Sequence, residues 1–441
     1  MKNYKKVYAA FILAGGLILH GCNGIFDDLA INPNQPSMGA YFTSPSAVND
    51  AVMTMYGYMS TQRCLGASGS KTTIIRSDEA SSNSDYGKPG MFGADLNASY
   101  YTIEQPYTLM YTTASQASYI IETAPSVDFS GNEELRNAYM GEAYFWRAFA
   151  HYYLLINFRN ISPIRQMPRN GDDYVRPLEK PAAVWNFIQE DLAHAKELLP
   201  VKGYWDSKNA GRVTKASAAA LLGKAYLYRS GIEQYYGEDK TTFYSEAAKE
   251  FGDVIDGKYG TYDLTKNYAD NFDVAHENNE ESILEFQFLG DVDNAGFNPG
   301  LATSGLAFDS RGLMLPGAGV GYEGVVHNWL YNAFVNSVDK DGYTDIRMFS
   351  TMIFNDLDAS IHLRNDAGGN PVRLEGPGGY KWEELYPAKN GKEGFATVSN
   401  PLAHSFKAGI RKGIDCSMPT QTEADGTPKL VGVGAGVKAV S

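Results

Sequence analysis

The sequence predicts a mainly α fold: paired helices, then a long loop-rich region with a few short strands. Three observations carry this expectation. Apolar residues recur at spacings of three and four in successive stretches between Ser44 and Gly257, the period of one buried helix face. Small residues stand where the last two of those stretches would meet, at Ala218, Gly223 and Ala247. After about Tyr262 the pattern fades, and Gly, Asn and Pro become frequent between Gly290 and Gly324, which signals turns and irregular chain.

Each helix has its own signals. Ser44-Pro45 pairs a cap residue with proline at the first helical position, and Val48, Val52, Met55 and Met59 then share a face. A second helix is expected over Glu104 to Glu122. A third runs from Glu133 to about Asn157, burying Leu135, Tyr139, Ala143, Trp146, Ala150 and Tyr153. A fourth starts at Pro181, with Val184, Phe187, Ile188, Leu192, Ala195 and Leu199 inward. Thr214 caps a fifth through Leu221, Leu222, Ala225, Tyr226 and Tyr228 to Gly231. Thr242 opens a sixth through Phe243, Ala247, Phe251, Val254 and Ile255 to Gly257. Leu222-Gly223, Ala225-Tyr226 and Ala247 resemble a tetratricopeptide repeat, whose helix pairs bury their faces only by stacking. The fold class is therefore a tetratricopeptide-like helical repeat scaffold with a long irregular region. Within the latter, Ile283, Leu284, Phe286 and Phe288 predict a short strand, and a helix is expected around Val325 to Asn336.

The N-terminus speaks to compartment. Lys2, Lys5 and Lys6 precede an apolar run from Val7 to Leu19. That run is shorter than the ~20 residues of a membrane span and reads as a signal peptide. It ends in Leu19-His20-Gly21-Cys22, similar to a bacterial lipobox apart from His20; the alternative is an ordinary cleaved signal with a chance cysteine. Asp27 and Asp28 loosely resemble the surface-export signal of Bacteroidetes lipoproteins. The Pro- and Asn-rich stretch from Ala30 to Gly39 is a tether rather than a helix. With Cys22 lipidated, Cys64 and Cys416 cannot form a disulfide scaffold. The net charge is −13, and removing residues 1–21 with their three lysines makes it −16. That balance argues against a broad phosphate-binding surface and against a nucleic-acid partner.

Catalytic signatures are missing from the sequence. It holds no GxSxG, no GxxxxGK[ST], no HExxH and no CxxC. His151 and His194 fall on expected helices and read as core or surface histidines. Asp27-Asp28, Asp172-Asp173 and Glu280-Glu281 are adjacent, whereas an acid/base pair faces across a cleft of ~5–10 Å. Asp339-Lys-Asp341-Gly342-Tyr-Thr-Asp345 resembles part of a calcium loop, but Ser337 and Met348 occupy the first and twelfth positions, so a solvated acidic turn is the better reading. Aromatics form 13% of the chain, with Tyr 30, Phe 21 and Trp 5. Tyr139, Tyr144, Trp146, Tyr152, Tyr153, Tyr226 and Tyr228 fall on helices and are expected to pack. The loop fraction is the candidate for stacking on a ligand.

Three stretches resemble the SusD/RagB family of surface nutrient-binding lipoproteins: Glu142-Ala-Tyr-Phe-Trp-Arg147 running on to Leu154, Gly211-Arg-Val-Thr214 running on to Tyr226, and Glu280 to Phe288. Asp345-Ile-Arg347 resembles a shorter family signature. Two departures stand out. The turn after the third helix reads Asn160-Ile-Ser-Pro163-Ile rather than Gly-Gly-Val-Pro, and a late Arg-centred helix is not found. The resemblance implies a signal peptide over 1–21, a tether over 22–42, a helical scaffold over 43–260 and an irregular ligand-binding region over 261–441, expected to be C-terminally truncated. It implies a non-enzymatic outer-membrane lipoprotein, anchored through Cys22 and facing the exterior. Such a protein captures an oligosaccharide and passes it to a SusC-type TonB-dependent transporter. No cofactor and no metal are implied; a RagB-like peptide binder and a glycan-processing enzyme are the alternatives. The segments after the first helix and after the helical repeats would form the ligand face. Its candidates are Asp78, Tyr86, Phe92, Tyr100, Tyr101, Arg311, Tyr322 and Trp329.

Overall fold

The computed structural model describes residues 42–61, 63–66, 98–167, 175–237, 239–272, 276–287, 328–348, 361–365 and 367–369, plus the backbone of six short strands. The leader, Cys22 and the tether lie outside the described residues.

Six helices form the array: α1 (Pro45–Ser60), α2 (Tyr101–Thr123), α3 (Glu133–Phe158), α4 (Pro181–Leu198), α5 (Lys215–Tyr236) and α6 (Tyr244–Ile255). Their starts follow from local chemistry. Ser44 Oγ accepts from the Ala47 N–H at 3.3 Å, ahead of Pro45. Asn132 Oδ1 accepts from the Leu135 N–H at 3.1 Å, and Glu133 and Glu134 favour the positive end of α3. At α5 the Thr214 N–H donates to Ser217 Oγ at 3.1 Å. Each helix packs on the next from α2 to α6, and α1 lies across α2 and α3. The expected inward faces are buried: Val48, Val52, Met55 and Met59 in α1, Ala143, Trp146 and Ala150 in α3, Val184, Ile188 and Leu192 in α4. Close approach of α5 to α6 needs Gly223, where a Cβ would come within 2.8 Å of the Phe251 ring.

The structure corrects four expectations. Helix α2 begins at Tyr101, three residues before Glu104, and carries Pro106 inside it. Helix α5 does not stop at Gly231 but runs to Tyr236, where Gly237 turns the chain with φ of +70°. Tyr228 packs edge-to-face on Tyr152 but only in part, staying 39% exposed. Residues 282–287 form no strand. Their apolar side chains are instead used against the helices, Leu284 and Phe286 on the main core and Ile283 on the α5–α6 core. Phe286 lies 5.8 Å from Trp146, and the Ile283 carbonyl accepts from Ser217 Oγ at 2.9 Å. Packing thereby supplies what a sheet ladder would have supplied.

Beyond the array lie α7 (Asn328–Asn336) and six short strands: β1 (Ala80–Ser81), β2 (Val325–Val326), β3 (Met352–Ile353), β4 (Gly409–Ile410), β5 (Thr420–Thr422) and β6 (Pro428–Leu430). The first four make an antiparallel sheet in the order β1-β2-β4-β3. β5 and β6 pair separately. The helix expected around Val325 thus gives its first residues to a strand.

Candidate functional site

The charged residues of the signature stretches are used inside the array. Arg147 Nε and Nη2 reach Asp191 of α4 at 2.7 Å each, and Nη1 donates to Ser118 Oγ of α2 and the Arg165 carbonyl. Both side chains of the pair are buried. Glu142, one turn earlier, is fully buried and bound by Arg212 Nη2 at 2.6 Å. Tyr56 of α1 donates to the same carboxylate at 2.6 Å and accepts from the Val213 N–H at 2.8 Å. Burial first, then the Glu142 charge, hold the Tyr56 phenol well above its ordinary range, so it stays a donor. Arg212 Nη1 adds Asn49 and Asn209, and its guanidinium lies 4.2 Å from the Trp205 ring centre. Gly211 ahead of it has φ of +80°, and a Cβ there would meet the Glu285 carbonyl at 2.4 Å. The three resembling stretches therefore meet one another in the scaffold.

Other titratable groups follow the same rule. His151 is fully buried; its Nδ1 lies 2.8 Å from the Arg147 carbonyl and its Nε2 accepts from the Ile164 N–H at 2.9 Å. Burial lowers its pKa to about 3, so the ring is neutral and the network assigns the proton to Nδ1. It is thus a core histidine, one of the two roles expected for it. Glu233 is held by Arg159, at 2.8 and 3.1 Å, and by Trp185 Nε1 at 2.8 Å. In the acidic turn, Arg364 donates to Asp339 at 2.8 Å and Asp341 at 2.5 Å, so a side-chain cation already sits between these carboxylates. Asp345 pairs with Arg347 two residues on. Among the described residues no group of three His, Cys, Asp or Glu is arranged to hold a metal ion.

The expected ligand face is reached only in part. Asp78, Tyr86, Phe92, Arg311 and Tyr322 lie outside the described residues. Tyr100 is the half-buried residue before α2, and Tyr101 is the first residue of that helix. Trp329 is the second residue of α7 and is 46% exposed. The backbone does bring the two named segments together: Ala80 pairs with Val326 and Ser81 with Val325. Asp78 thus stands two residues before a strand whose partner lies three residues before Trp329. Nothing in the sequence signalled this pairing, because two-residue strands carry no alternating pattern.

Comparison with known proteins finds similarity to one family. A family model described as "Starch-binding associating with outer membrane" (SusD-like) matches residues 31–227. A SusD-like protein of Bacteroides ovatus is 26% identical over 293 residues, covering 66% of this chain and 51% of that protein. SusD-like protein P2 of Formosa agariphila is 26% identical over 305 residues, covering 67% and 55%.

The N-terminal part of the chain, residues 31–227, is similar to the SusD-like family.

The chain spans about half the length of these curated relatives. Solved structures show the same fold. A SusD-like carbohydrate-binding protein of Bacteroides fragilis superposes with a TM-score of 0.60 at 16% identity, covering 88% of this chain and 71% of that one. A laminarin-binding SusD-like protein gives 0.57 at 22% identity, covering 71% and 67%. A structure solved with a xylogluco-oligosaccharide gives 0.54 at 18% identity, covering 82% and 63%. The mainly helical, tetratricopeptide-like fold of this chain is thereby established.

Proposed function

We propose that this chain is a SusD-like, lipid-anchored, outward-facing outer-membrane protein that binds an oligosaccharide and cleaves no bond. The observation that carries this reading is the pairing of Ala80–Ser81 with Val325–Val326. It supports the reading that the sequence around Ala80 and the sequence around Val325 contribute to one ligand face. Sugar rings have apolar C–H faces that stack on Tyr and Trp, while Asp, Asn and Arg take the hydroxyls. The laminarin and xylogluco-oligosaccharide relatives support the ligand class. The family description supports the outer membrane, and Leu19-His20-Gly21-Cys22 supports the anchor.

In this proposal the scaffold over 43–260 holds the binding region over 261–441. The bound glycan then passes to a SusC-type TonB-dependent transporter. Stacking and hydrogen bonds suffice for capture, and release follows when the partner takes the ligand. Calorimetry with a panel of glycans and peptides, with chromatography of the mixtures afterwards, tests this. Binding of a glycan that is recovered intact is expected. Preference for peptides, or shortened glycan after incubation with purified protein, would overturn it.

A further inference from the structure

The solvent face of α5 holds two exposed tyrosines. Tyr235 is 84% exposed and Tyr228 is 39% exposed. Seven residues apart, they fall about 20° apart around the helix axis and about 10 Å apart along it. Between them lies Gly231, exposed, in mid-helix and without a positive φ. A Cβ at Gly231 would meet nothing within 4 Å. Neither packing nor backbone conformation calls for glycine here, yet glycine weakens a helix. What it does provide is a flat floor between the two rings.

The rings are braced rather than loose. Tyr228 meets the Tyr152 ring edge-to-face at 5.8 Å. Tyr235 meets Tyr236 at 5.1 Å with the planes 87° apart. Tyr236 is in turn covered by the Arg159 guanidinium at 3.9 Å, which Glu233 holds. Lys224 stands one turn before Tyr228, its ammonium 5.6 Å from that ring, and Gln234 is exposed beside Tyr235. The exposed residues from Lys224 to Tyr235 include no carboxylate, in a chain whose net charge is −13. The stripe therefore offers hydrogen-bond donors from Lys224 and Gln234 to ligand hydroxyls, beside two aromatic faces.

We infer that Tyr228, Gly231 and Tyr235 form a second glycan site, shaped for an extended β-1,4-linked hexose chain. Equatorial linkages keep such a chain straight and flat, and every second hexose presents the same face. Its two-hexose repeat matches the spacing of the rings, with the intervening hexose over Gly231 and hydroxyls near Lys224 and Gln234. An α-1,4-linked chain coils and cannot lie along both rings. The inference rests on the glycan-binding reading but uses residues outside the face proposed above.

Calorimetry on the full chain, with cellohexaose as probe and maltohexaose as control, tests it. Two binding events are expected for cellohexaose. Tyr235→Ala and Gly231→Leu each weaken one of them about two- to tenfold, and Trp329→Ala weakens the other. Circular dichroism checks the fold of every variant, and Gly231→Leu should raise rather than lower the melting temperature. Unchanged cellohexaose binding in both α5 variants, or binding of other glycans with none of cellohexaose, overturns the α5 site alone. Equal weakening for maltohexaose overturns the linkage assignment. No binding of any glycan by the unaltered chain removes the general reading as well.

Discussion

Arg147 in the array and Val325 in the sheet illustrate two ways of holding a chain. Arg147 has buried partners on α2 and α4 and a part-buried one in the segment after α3. Val325 sits in a two-residue strand and pairs with Ser81 on one side and Gly409 on the other. The array is over-determined, since each charge is bound by several groups at once, and removing one group leaves others stranded. The sheet is sparse, and its strands serve to set distant segments side by side. The charged residues of the stretches that carry the resemblance thus belong to the array.

Breaking the array at Arg147 should have the largest effect. Arg147→Leu leaves Asp191 buried without its cation and should cost about 3–5 kcal/mol of stability, read as a lower denaturation midpoint. Adding Asp191→Leu should recover much of the loss, because the stranded charge goes with it. A double variant no more stable than the single one would show that the pair matters for something other than charge balance.

The next effect is packing. Gly223→Ala places a methyl within 2.8 Å of the Phe251 ring. The resulting strain of about 1–3 kcal/mol exceeds the gain in helix propensity of about 1 kcal/mol. Phe251→Leu in the same chain should relieve it. If Gly223→Ala instead stabilises, α5 and α6 are less tightly joined than the array requires.

Acid should separate the regions more gently. His151 is neutral in the fold, with its pKa lowered from 6.5 to about 3 by burial. Between those values the unfolded chain binds a proton that the folded chain does not. Its contribution to stability is therefore complete above pH 6.5 and is lost as pH falls towards 3. The slope is about 1.4 kcal/mol per pH unit well inside that window. Unfolding measured at several pH values should show a shallower slope in His151→Gln than in the unaltered chain. Equal slopes would mean that this histidine gains a proton without leaving the core.

How far each region was legible in the sequence follows the same division. The array was legible because burial imposes a period of three and four, and caps such as Ser44 and Asn132 mark the starts. Its errors came from residues with two meanings. Gly231 reads as a stop but sits on a solvent face where a helix tolerates it. Ile283, Leu284 and Phe286 read as a strand, but an apolar run can equally pack on helices without a ladder. The ion pairs were not legible, since Glu142 and Arg212 stand 70 residues apart and no spacing rule links them. The candidate face was legible only as a set of loop aromatics. Its assembly depends on two-residue strands from distant parts of the chain, and these leave no pattern to read.

Trp329 sharpens the comparison from the other side, because a change there should scarcely touch the fold. It stands at the start of α7, three residues beyond β2, with nearly half its surface in solvent. Surface substitutions outside caps and buried networks usually stay within about 0.5 kcal/mol, so Trp329→Ala should unfold at the same denaturant concentration as the unaltered chain. A stacked ring is worth about 0.5–1.5 kcal/mol. Glycan binding by calorimetry should therefore weaken about two- to tenfold. That pairing of results, stability kept and affinity lost, is the reverse of what Arg147→Leu predicts at the level of the fold. Trp329→Ala that destabilises the chain while glycan affinity survives in the folded fraction would move this residue from the ligand face into the packing. The pairing of β1 with β2 would then need another purpose than presenting it.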